Sequence, residues 1–164
     1  MMEFDLDRWL MTIAKTDPTP AGGSLALVTL AGAAALASKC SRLSGMEYEL
    51  FDKYAELMSE FSAEDARLYK NFTKGGKEEA LAAVEAGLLH IHSAIGLCEE
   101  LKKLEVKESL RLDSDAAFSL AFESALVLLK NFGNNFTDEN IISLHARIQN
   151  LLNSPIAQAP IKTP

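Results

Sequence analysis

The chain has 164 residues, enough for one domain with one sizeable core. A hydrophobic fraction of 48% with only 7% aromatic residues means that core volume must come from Leu, Ala, Ile and Val, which suits helix packing better than a β-sandwich. A formal charge of −7 argues against nucleic acid, whose phosphates call for a basic face, and against an anionic membrane surface.

The opening "MMEFDLDRWL" is acidic where a secretion signal would be basic. A first helix is expected from Glu3 to Lys15, with Phe4, Leu6, Trp9, Leu10 and Ile13 at helical spacing. Pro18 and Pro20 then break it. A second helix is expected from about Gly23 to Leu43 and is built almost wholly of small apolar residues. Ser44-Gly45 should stop it. The run Ala21 to Ala37 nears the length a bilayer demands. Its Ala, Gly, Ser and Thr carry little transfer energy, however, and Lys39 and Arg42 follow directly. The better expectation is a central helix that neighbours approach closely, through Ala26, Leu30, Ala33, Ala34 and Ala37, within the bundle or at a dimer seam.

A third helix is expected at Tyr48–Phe72 and a fourth at Lys77–Leu104, separated by "TKGGK". A fifth should run from Asp113-Ser114 to about Asn131, and a sixth from after Thr137 to about Asn153. With no strand pattern and no repeat, the fold class is all-α: a single-domain bundle of about six helices over residues 1–153, with a proline-rich tail over 154–164. Cys40 and Cys98 lie inside apolar helical patterns, as buried free thiols of a reducing compartment do, so a cytoplasmic location is expected.

The glycines in "PTPAGGS" would expose the first N–H groups of the second helix, an end suited to an anion or a polarised oxygen, although such ends more often carry no ligand. His90 and His92, two apart on a helix, point to different sides and cannot share a metal, so one is expected inward and one outward. His145 reads as a surface or packing histidine. No phosphate-loop, CxxC or Glu-x-x-His pattern occurs, and no metal site is expected.

Three stretches, in order, resemble the cyclodeaminase/cyclohydrolase family of folate enzymes: "TPAGGSLALVTLAGAAALASKCSRLS", "AEDARLYKNF" and "SDAAFSLAFESALVLLKNFGNNF". The resemblance implies an all-helical homodimer acting on tetrahydrofolate one-carbon units without a metal or redox cofactor. One family activity closes 5-formiminotetrahydrofolate to 5,10-methenyltetrahydrofolate with loss of ammonia. The other hydrolyses the methenyl bridge to the 10-formyl compound. For the hydrolysis a carboxylate beside the cationic carbon and a base for the water would suffice, whereas ring closure asks for an acid that protonates the departing ammonia.

On this reading Asp65 and Asp115 are the catalytic candidates, while Gly22, Gly23, Ser24, Arg42, Ser114, Asn131 and Asn135 are substrate-binding candidates. Each also has a plainer reading. Asp65 could be a solvated carboxylate near Arg67, and Asp115 a first-turn acid on the helix dipole, capped by Asp113 or Ser114. Arg42 could partner a helix C-terminus, and the asparagines could be a fraying helix end. Ala21 stands where the family has a glycine, and an arginine expected in the fourth helix is missing. The alternative function is therefore a non-catalytic helical dimer that retains the fold as a binding protein.

Overall fold

In the computed structural model the described residues are 6–15, 21–135 and 146–151. They form α1 (Leu6–Ile13), α2 (Gly22–Ser44), α3 (Glu49–Phe72), α4 (Lys77–Lys103), a single 3₁₀ turn (Glu108–Leu110) and α5 (Arg111–Asn135). A further helical segment covers 146–151. Among the described residues there is no strand, so the all-α expectation holds. The start of the sixth helix, His145 and the tail over 154–164 lie outside the described residues.

The four long helices close into a ring: α2 packs on α3 and α5, and α4 packs on α3 and α5 from the other side. Small residues make the first pair of seams. Ala26, Ala33, Ala34 and Ala37 of α2 are buried, as are Ala117, Ala121 and Ala125 of α5 at a spacing of one helical turn. Without bulky side chains there, the helix axes approach closely. Larger side chains fill the bundle between the seams, chiefly Leu27, Leu30, Met58, Ile91, Ile95, Leu97 and Leu129. Each fully buried one contributes about 1.5–3 kcal/mol of transfer free energy.

Gly45 ends α2 in the left-handed region at φ 72°, with its N–H donating to the Arg42 carbonyl and that of Met46 to the Ser41 carbonyl. This is the stop expected from "SG". α5 begins earlier than its sequence suggests. The 3₁₀ turn runs into Arg111, so Asp113 and Ser114 lie inside the first turn rather than capping it, and Ser114 is buried. Both cysteines are free and buried. By length and composition alone, α2 and α4 could each cross a membrane, but both are core-packing helices of this bundle.

Candidate active site

The start of α2, the second half of α3, the first half of α4 and the end of α5 meet at one end of the ring. That meeting is a consequence of up-and-down connectivity: alternate helices bring opposite termini to the same end. There they enclose a cavity of about 340 Å³, within the range for small-molecule sites. Three aromatic side chains, Tyr69, Phe72 and Phe132, contribute to its walls, and among the described residues Asp65 is the only charged one lining it.

Asp65 is held in place from α2. The Ser24 hydroxyl donates to Asp65 Oδ2 at 2.8 Å, and Ser24 is itself nearly fully buried. The Ser62 hydroxyl, one turn before Asp65 on α3, donates to the Ser24 carbonyl at 3.1 Å. Two hydrogen bonds thus tie this turn of α3 to the first turn of α2. Gly23 lets the carboxylate approach, since a Cβ there would lie 2.9 Å from Oδ2. Gly22 does the same for α5: a Cβ there would lie 3.3 Å from Asn131 Nδ2. The glycine pair therefore serves close approach of side chains from two other helices. Arg67 does not engage Asp65, as the plainer reading suggested. It pairs with Glu64 at 3.5 Å.

His90 is the residue that the sequence did not single out for function. It faces inward while His92 is exposed, as their spacing required. Yet it lines the cavity, and its Nε2 is buried without a hydrogen-bond partner, 3.8 Å from Glu64 Oε2. The Phe61 ring covers it at a centroid distance of 4.4 Å. Burial pushes the imidazole below its ordinary value, and the Asp65 and Glu64 carboxylates draw it partly back. The neutral ring is therefore favoured. Ala83, Ala86 and Gly87 of α4 line the same cavity as His90. Gly87 also carries the Phe132 ring, which a Cβ would meet at 2.6 Å.

The remaining candidates divide by position. Gly22, Gly23, Ser24, Asp65 and Asn131 gather at the cavity end. Asn135 belongs to the last turn of α5, and its side chain lies outside the described residues. Arg42, Ser114 and Asp115 are at the opposite end. Arg42 stands about 27 Å along α2 from Ser24, and Asp115 about 24 Å along α5 from Asn131, at the rise of an α-helix. Arg42 ion-pairs with Asp52, and its guanidinium lies over the Tyr48 ring at 3.5 Å. The Ser38 hydroxyl donates to Asp52 Oδ1 at 2.5 Å and completes this cluster. Asp115 is exposed, and its carbonyl accepts from the Ser119 hydroxyl at 2.9 Å. Within one chain, therefore, these three residues do not reach the cavity. Among the described residues no group of three or more His, Cys, Asp or Glu side chains is disposed to hold a metal ion.

No protein-family profile matches the chain, and no curated protein matches its sequence. Comparison of folds does find a similar structure: the formiminotetrahydrofolate cyclodeaminase of Thermotoga maritima, with a TM-score of 0.70 and 19% sequence identity, over 91% of this chain and 92% of that one. At that identity the likeness shows a shared fold over most of both chains.

Proposed function

We propose that this protein is a folate one-carbon enzyme, a methenyltetrahydrofolate cyclohydrolase or a formiminotetrahydrofolate cyclodeaminase, working as a homodimer in the cytoplasm. The observation that carries the reading is the Asp65 carboxylate, fixed by Ser24 at the glycine-rich start of α2 and opening on an aromatic-walled cavity. Both reactions pass through a carbon bearing positive charge, flanked by nitrogens. A carboxylate fixed in a mostly apolar cavity stabilises such a cation far better than water does. The aromatic walls suit the faces of a pterin ring. The shared fold with a formiminotetrahydrofolate cyclodeaminase supports the same reading.

The test is the loss of methenyltetrahydrofolate absorbance on adding protein, measured against the spontaneous rate in a non-nucleophilic buffer, and in parallel ammonia release from the formimino compound. Asp65→Asn should lower kcat by about 10²-fold or more while leaving the thermal midpoint nearly unchanged. Full activity in that variant removes Asp65 from the mechanism.

A second reading, a binding protein without turnover, rests on a specific observation. Arg42 is already engaged by Asp52 and Tyr48, and Asp115 is remote from the cavity. That reading predicts tetrahydrofolate binding with no acceleration of either reaction.

A further inference from the structure

His90 is nearly fully buried, lines the cavity beside Asp65, and carries the single buried side-chain nitrogen without a partner among the described residues. A buried polar atom left unsatisfied costs about 1–3 kcal/mol, so one beside a cavity calls for a partner. The Glu64 carboxylate at 3.8 Å is too far to satisfy Nε2. Glu64 is not among the lining residues, whereas His90 and Asp65 both are.

Resting on the folate reading above, we propose that His90 is a further catalytic residue, and that its imidazole carries the proton from the attacking group to the departing nitrogen. The two candidate reactions share this requirement. In the hydrolysis, the water oxygen bonds to the methenyl carbon as one of its protons passes to the neutral imidazole, and the C=N electron pair returns to nitrogen. The imidazolium then protonates N5 as the carbon–N5 bond breaks. The remaining hydroxyl proton goes to solvent as the formyl C=O forms. In the cyclisation, N10 bonds to the formiminium carbon and gives its proton to the imidazole. The imidazolium passes that proton to the amino nitrogen, and ammonia leaves as the methenyl cation forms. In both, His90 starts and ends neutral while Asp65 remains ionised beside the cation. A buried imidazole is suited to this part, because the ring is neutral at the start of each turnover.

The groups whose charge reaches His90 are Asp65 and Glu64, both on α3. The portions of α2, α4 and α5 that line the cavity contribute no charged side chain. Protonation of His90 ahead of turnover should therefore produce an acid limb in kcat/KM lying below the ordinary imidazole value of 6.5, with Asp65 and Glu64 keeping it from falling further.

The experiment compares wild type with His90→Gln and His90→Asn, using both methenyl- and formiminotetrahydrofolate. His92→Gln, on the exposed side of the same helix, is the control. The expected result is a loss of about 10²-fold or more in kcat with KM changed only a few-fold, and disappearance of the acid limb. Activity within threefold of wild type and an unchanged pH profile in either His90 variant overturns the role of His90 and leaves the folate reading standing. Wild type that accelerates neither reaction overturns the folate reading itself, and this role with it. Should the variants misfold, ¹⁵N-histidine spectra of the unmodified chain decide the matter. On adding 5-formyltetrahydrofolate, the ring-nitrogen resonances of His90 should shift and, if they do not, the proposal is wrong.

Discussion

Asp65 meets a hydroxyl on one side and bare backbone on the other. Ser24 supplies the first and Gly23 the second. A methyl group at Gly23 would sit 2.9 Å from one carboxylate oxygen and 3.1 Å from the other, so Gly23→Ala must displace the carboxylate. The displaced group loses the Ser24 bond, worth about 1.5–3 kcal/mol when the acceptor is charged. We expect Gly23→Ala to fold and to lose at least tenfold in kcat/KM, measurable in the same absorbance assay. His90 supplies a second prediction at this scale. Because burial lowers its pKa in the fold, the unfolded chain takes up a proton first as pH falls. The contribution of His90 to stability is thus complete above about 6.5 and is lost as pH drops through the folded value. Thermal midpoints of wild type should fall more steeply with acid than those of His90→Gln over that window. The sequence offered the glycine pair, Ser24 and Asp65 as candidates because they fall in two recognisable stretches, "PTPAGGS" and "AEDARLYKNF". It concealed His90 because burial without a partner is a property of three-dimensional packing, and a histidine on an apolar helix face looks the same whether or not its nitrogen is satisfied.

At the scale of the elements, the small residues of α2 serve two purposes along its length. Its middle and end use alanine to seat α3 and α5, and its first turn uses glycine to admit Asp65 and Asn131. Composition made the first purpose legible; the second needed the partners. α4 follows a similar logic at Gly87, against which the Phe132 ring lies with two carbons 2.6 and 2.7 Å from where a Cβ would stand. Phe132 is well buried and lines the cavity, so Gly87→Ala must move that wall. We expect this substitution to cost about 1–3 kcal/mol by overpacking. It should also raise KM about tenfold, one pocket contact's worth, with less effect on kcat. Calorimetry and the steady-state assay would separate the two effects. The boundary of α5 was less legible. Asp113 and Ser114 have capping chemistry, but the 3₁₀ turn before Arg111 makes the preceding backbone helical already. The capping residues therefore became interior ones.

Taken as a whole, the molecule distributes the residues of one sequence signature over two distant ends. Gly22, Gly23, Ser24, Asp65 and Asn131 stand at one, and Arg42, Ser114 and Asp115 at the other. No rearrangement of a packed four-helix ring brings them together, because α2 and α5 are continuous rods between the ends. If both groups serve the same reaction, they must come from two copies, and the proposed homodimer supplies a way. The outer faces of α2 and α5 expose Leu25, Leu112, Leu120 and Val127, apolar surface that a second copy would cover. An isologous contact along these helices in antiparallel sense would set the cavity end of each chain against the Arg42 end of the other. The decisive measurement is complementation. Asp65→Asn and Asp115→Asn chains, each inactive as a pure dimer, should recover activity when unfolded together and refolded. Half of the dimers then carry one chain of each kind, and one of their two sites holds both native residues, giving about a quarter of wild-type turnover. Asp115→Asn active by itself would assign the far cluster a structural role. Two inactive variants that fail to complement would mean that each chain needs both ends intact on its own account.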